Sequence, residues 1–373
     1  MLIIPARRTF ASRLSRIFNK YSIAGVVMLA IVTVPAIVVA GPAVAPSANL
    51  MPVAPPADPV DIGIPAPIGT PVVINPGTGP VTPPMPTPTK PLLFGIGPEL
   101  DSASRERLTA EAPIKMLTSW YNGSNDLGFM TGWKRDLIPQ AYAKGDSLHL
   151  VIYSDDPEQA ITTKYGAACG RPYPLSSGFL GDMQQLAQAY NGSGQLYVSM
   201  FTELQTYPCQ DNQWKGAENY YKALKDQYRA TQAIFKQYAP NAKLSLSWGG
   251  WQANYDDVAN GGGSSLITQF ADVLRTSDFQ SFQAMGTQGD NKDIMLRMTK
   301  ALHQYGPVMV SHFKPDNASQ TAFDADMRAI FTPATIKTLQ DNGLFSISFM
   351  DSKLMQQDSS YAAVKSAVTR FGQ

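Results

Sequence analysis

The chain has 373 residues, a net charge of +1 and only 16% charged residues. It carries no long basic run after its first twenty residues, so nucleic acid, which needs a basic stripe, is not its partner. Proline is unevenly spread: 16 of the 29 lie between Gly41 and Pro91, which divides the chain before any element is read.

Residues 1–40 come first. Arg7, Arg8, Arg13, Arg16 and Lys20 precede the uncharged stretch Tyr21 to Ala40. Basic residues stay on the cytoplasmic side, and an apolar stretch of this length can cross a bilayer. The segment is expected to be a signal peptide or a membrane anchor. Val38-Val39-Ala40 offers the small residues a signal peptidase needs, and both outcomes stay open. Either places the rest of the protein outside the cell, secreted or tethered to the outer face of the cytoplasmic membrane. Residues 41–90 hold only Asp58 and Asp61 as charges before Lys90. So little aromatic and so much proline builds no core, and this stretch is expected to be a disordered, extended linker. Export would also put Cys169 and Cys209 in an oxidising compartment, where a disulfide between them persists.

Residues 91–373 alternate short apolar runs with amphipathic stretches, the pattern of parallel βαβ units. The runs are Leu92–Ile96, Ile114–Thr118, Leu148–Tyr153, Leu196–Phe201, Lys243–Trp248, Phe282–Met285, Val308–His312 and Phe345–Phe349. Between them, Phe179 to Ala187, Tyr220 to Tyr238, Leu266 to Leu274, Ile294 to Tyr305 and Met327 to Leu339 read as helices. Eight strands with intervening helices predict a single α/β domain, a (β/α)8 TIM barrel, expected to be a monomer. An open doubly wound sheet is disfavoured: Gly95-Ile96-Gly97-Pro98 lacks the third glycine of a phosphate loop.

In such a barrel the chemistry sits at the C-terminal ends of the strands. Those ends carry carboxylates with tryptophan and tyrosine: Trp120 after strand two, Tyr153 and Asp155 after strand three, Glu203 after strand four. Trp248 and Trp251 follow strand five, Gln288 strand six, His312 strand seven and Asp351 strand eight. Aromatic faces stack on sugar rings, and carboxyl groups supply acid and base for glycosidic cleavage. Glu203 is the prime candidate, because it directly follows an apolar strand and Met200-Phe201 can hold its proton on. Trp120, Tyr153, Trp248, Trp251, Gln288 and His312 are the candidate substrate contacts. His149, His303 and His312 have no metal spacing, so neither a metal nor another cofactor is expected.

The stretch Gly178-Phe179-Leu180-x-Asp182-Met183 through Val198-Ser199-Met200-Phe201-Thr202-Glu203 resembles the third helix and fourth strand of clan A glycoside hydrolases, most of all the mannanase-like family 26. The resemblance implies that Glu203 is the general acid/base and that the substrate is a polysaccharide or oligosaccharide, mannan- or glucan-like, cut from within. The chain departs from the clan at strand seven, where Val308-Met309-Val310-Ser311-His312 has no carboxylate in place of the nucleophile. A second carboxylate would then be Asp351, which is the first choice, or Asp155 or Asp316. The competing reading is a carbohydrate-binding or envelope-scaffold barrel that cleaves nothing.

Overall fold

The computed structural model describes residues 90–154, 156–205, 218–256, 262–263, 265–350, 352–355 and 357–373. The calls on residues 1–40, on 41–90 apart from its last residue Lys90, and on Asp155, Cys209 and Asp351 lie outside the described residues.

Ten strands are described: β1 (Leu93–Ile96), β2 (Ile114–Tyr121), β3 (Ser147–Ile152), β4 (Gln159–Thr163), β5 (Gly166–Gly170), β6 (Leu196–Met200), β7 (Ala242–Trp248), β8 (Gln280–Ala284), β9 (Val308–Phe313) and β10 (Leu344–Phe349). Eight of them close into a barrel in the order β1-β10-β9-β8-β7-β6-β3-β2, every pair parallel. Each of the eight apolar runs has become one barrel strand, so β6 is the fourth around the barrel and β9 the seventh. The remaining two strands, β4 and β5, form an antiparallel hairpin inserted after the third barrel strand.

The helices cover the barrel through the spacing of their apolar residues. In the helix Ser177–Tyr190, Phe179, Met183, Leu186 and Tyr190 share the buried face. Ser176 caps it by accepting from the Phe179 amide at 3.1 Å, which satisfies one of the orphan donors of the first turn. The helix Glu218–Tyr238 buries Tyr221, Leu224, Tyr228, Thr231 and Phe235 at alternating steps of three and four. Each large apolar side chain removed from water in this way contributes roughly 1.5–3 kcal/mol. Two expected helices differ in the structure. Met327 to Leu339 is broken into Gln320–Ile330 and Pro333–Asp341, because Pro333 cannot continue a helix and Thr332 restarts one by accepting from the Thr335 amide. Leu266 to Leu274 is a 3-10 turn, Thr268–Phe270, leading into the short helix Ala271–Leu274.

Inside the barrel the side chains fall into layers. The N-terminal end is closed by Leu93, Met116, Phe279 and Met309 with Tyr197 and Phe345 packed against them. Above this plug the lining turns polar. Ser348 Oγ lies 2.7 Å from Thr118 Oγ1, which lies 3.2 Å from His149 Nδ1, and His149 Nε2 lies 2.9 Å from Ser199 Oγ. Ser245 and Ser281 pair at 2.7 Å. Buried hydroxyls need partners, and these supply one another across neighbouring strands. Burial pushes the His149 imidazole down to about 3, so it stays neutral.

Candidate active site at the barrel mouth

Glu203 leaves the end of β6 on a strained backbone. Phe201 and Glu203 both adopt positive φ, 55° and 56°, a region that non-glycine residues avoid and that concentrates at functional sites. The intervening Thr202 continues the sheet, its amide donating to the Ile152 carbonyl at 2.9 Å. The ring of Phe201 stacks on Phe179 with centroids 5.5 Å apart, which locks the first of the two turns. The second turn brings Glu203 into a pocket lined also by Tyr153, Arg171, Phe179, Phe201 and Tyr220. Burial pushes its carboxyl up to about 7; the Arg171 guanidinium opposes this, and the carboxylates of Asp316 and Glu158 add to it. A carboxyl with that proton affinity is a proton donor near neutrality, as general acid catalysis requires.

Three of the expected substrate contacts meet beside this pocket. The Trp120 and Tyr153 ring centroids are 6.4 Å apart, and Trp120 meets His312 edge-on at 4.4 Å. His312 is 1% exposed, and among the described residues neither of its ring nitrogens has a hydrogen-bond partner. Burial holds its imidazole well below the usual histidine range, and the neighbouring Lys314 and His149 act in the same direction. The amide oxygen of Gln283, its register partner on β8, is likewise buried and has no partner among the described residues.

The other three fall elsewhere. Trp248 is fully buried, with its ring edge-on to Phe270 at 5.4 Å; it is a core residue and offers no face to a sugar, contrary to the stacking role expected of it. Trp251 is half-buried with its indole laid over Gly249, where a Cβ would come within 2.3 Å of the ring. Gln288 is exposed on the loop after β8 and its amide donates to the adjacent Thr287 hydroxyl at 3.4 Å. Cys169 is buried in β5, and no cysteine among the described residues is free. Among the described residues no group of histidine, cysteine or carboxylate side chains is arranged to hold a metal.

Two charged residues at this site were not among the expected ones. The Arg171 guanidinium lies 4.8 Å over the ring of Tyr153, and it is 3.9 Å from Glu158, with side-chain exposures of 17% and 5%. Both belong to the ends of the hairpin β4–β5. The signal for that hairpin was present in Ile161-Thr162-Thr163, separated by two residues from Gly166, which takes φ 115°.

Beneath the site, Tyr121 at the end of β2 donates to Asp182 Oδ2 at 2.6 Å, and the Tyr173 hydroxyl donates to the same oxygen. This ties the helix Ser177–Tyr190, on which Phe179 supports Phe201, to the second barrel strand.

No protein-family model matches the chain, and no curated protein matches it. Among solved structures it is similar to the glycoside hydrolase family 53 catalytic domain of Ignisphaera aggregans, at 15% identity and TM-score 0.43, covering 70% of this chain and 80% of that one. It is similar to a xylanase A variant of P. fluorescens subsp. cellulosa in complex with xylopentaose, at 11% identity and TM-score 0.45, covering 75% and 98%. A fungal β-1,4-galactanase gives 14% identity and TM-score 0.45, covering 76% and 94%. At these values the (β/α)8 architecture rests on the chain's own strand pairing, and that is the barrel the clan A resemblance implied. Family 26 itself is not among these three.

Proposed function

We propose that the protein is a glycoside hydrolase that cuts a polysaccharide from within, mannan- or glucan-like, with Glu203 as general acid/base. The observation that carries this reading is Glu203 itself. It is held on a strained turn at the C-terminal end of the fourth barrel strand, keeps its proton up to about 7, and shares its pocket with an aromatic wall. The second carboxylate is drawn from Asp351, Asp155 or Asp316. Asp316 sits on the loop after β9, and its charge reaches Glu203. The protein acts outside the cell, with residues 1–40 as signal or anchor and residues 41–90 as spacer, and Cys169 bridges Cys209.

One observation favours a second reading, a glycan-binding barrel without turnover. The seventh barrel strand ends in His312-Phe313-Lys314, all buried, with no carboxylate. Incubating the purified protein with mannans, glucans, xylans, galactans and arabinans and measuring new reducing ends separates the two. Release from at least one polymer is the expected result. Binding with no release from any of them establishes the second reading.

A further inference from the structure

The register of the hairpin β4–β5 pairs Gln159 with Gly170 and Ala160 with Cys169. One step further along the same register sets Glu158 opposite Arg171, and there the two side chains form their ion pair at 3.9 Å. The hairpin is held in place at both ends. At its tip, Lys164 Nζ lies 2.7 Å from Asp226 Oδ2, and the Tyr165 hydroxyl donates to the same oxygen at 2.5 Å. Asn219 Nδ2 donates to the Ala167 carbonyl at 3.0 Å. At its base, Gly170 packs so tightly on the Tyr220 ring that a Cβ there would come within 2.5 Å. Tyr220 and Arg171 both line the Glu203 pocket.

We propose that the Glu158–Arg171 pair is a positioning device, delivered by this hairpin, that sets when Glu203 holds and releases its proton. Arg171 alone beside Glu203 would favour the carboxylate and waste the acid. Glu158 alone would lock the proton on. Opposed across the hairpin, each limits the other, and the guanidinium is further held against the Tyr153 ring. Among the described residues, the groups that face Glu203 are Arg171 and Glu158 from the hairpin, Asp316 from the loop after β9, Tyr153 from the end of β3, and Tyr220 from the helix Glu218–Tyr238. Only the catalytic consequence rests on the hydrolase reading; the ion-pair control does not.

The test is a titration of Glu203 by carbon NMR of the full-length protein with labelled glutamate side chains. The Glu203 signal is the one lost in Glu203→Gln. An opposite charge at close range lowers a carboxyl by roughly one to three pH units. Arg171→Met should therefore move the Glu203 midpoint up by roughly one pH unit or more, Glu158→Gln should move it down, and Arg171→Lys should restore most of the wild-type value. If Arg171→Met does not fold, the direction seen in Glu158→Gln and in the double variant Arg171→Met/Glu158→Gln decides. Glu158→Gln must lie below wild type, and the double variant above Glu158→Gln. Midpoints that stay still, or that move the same way in both single variants, overturn the proposal. Opposite movements in a protein that cleaves no glycan would uphold it while sinking the hydrolase reading. Cleavage without those movements would do the reverse.

Discussion

Trp120 and His312 meet edge to face at 4.4 Å across the barrel mouth, although their strands, β2 and β9, are not neighbours in the sheet. The contact joins the aromatic wall of the Glu203 pocket to the strand end where a second carboxylate would otherwise stand. His312 lies there neutral, its two ring nitrogens without a hydrogen-bond partner among the described residues. A buried polar group left unpaired costs about 1–3 kcal/mol, a cost that a structural residue of the same size need not carry.

That cost gives the first prediction. His312→Leu keeps the volume and removes the unpaired nitrogens, so it should raise stability to urea by about 1–3 kcal/mol. If His312 contacts glycan, the same variant should weaken oligosaccharide binding, measured by calorimetry. A variant that is less stable and binds glycan as well as wild type would show that His312 serves packing alone.

The tryptophans separate in a second prediction. Trp248→Ala empties a fully buried site and should cost roughly 3–5 kcal/mol of stability. Trp251→Ala, from a half-buried ring resting on Gly249, should cost far less. Equal losses in denaturant unfolding would contradict this placement.

The eight strands were legible because each is a short apolar run bounded by turns, and the barrel follows from their number and parallel order. The hairpin β4–β5 was harder to see: β4 is mostly exposed and shows no apolar run, leaving only the β-branched Ile161-Thr162-Thr163 and the glycine at its turn as a signal. Without its register, nothing in the sequence sets Glu158 against Arg171. Trp248 and Trp251 share one Trp-Gly-Gly-Trp motif, and only packing decides which ring is buried. Glu203 was legible because its place, directly after an apolar strand, fixes both its position and its burial.

The barrel interior should show in acid. His149 is held neutral down to about 3 in the folded protein, while an unfolded histidine takes up a proton near pH 6.5. The unfolded state then binds more protons, so stability falls as pH drops below that value, by roughly 1.4 kcal/mol per pH unit for each such histidine. His149→Gln should flatten this dependence between about pH 6 and pH 5, relative to wild type. An unchanged slope in urea unfolding at both pH values would mean that His149 is not held neutral.

Glu203 carries the opposite sign. Its carboxyl keeps the proton to about 7 when folded, against 4.5 unperturbed. Below the lower value both states are protonated, and between the two the unfolded state releases its proton first. Stability therefore declines as pH rises through this window, by up to roughly 3 kcal/mol in total. In Glu203→Gln that decline should be absent, so its advantage over wild type grows from pH 4 to pH 8. A constant difference across the range would show that the carboxyl is not buried as described.

Disulfide mapping checks the exported state. If the protein is exported as proposed, mass analysis after alkylation should recover Cys169 and Cys209 as one bridged pair of peptides. Two alkylated thiols would remove both the bridge and the argument from export that led to it.

The most direct test of Glu203 as general acid compares two substrates of one glycan, an ordinary oligosaccharide and an aryl glycoside with a good leaving group. Glu203→Gln preserves shape but gives no proton, so hydrolysis of the oligosaccharide should fall by about 10²–10⁴-fold. The aryl glycoside, which needs little protonation, should lose much less, and oligosaccharide binding should survive. If wild type cleaves the glycan and Glu203→Gln cleaves it equally fast, Glu203 is not the acid.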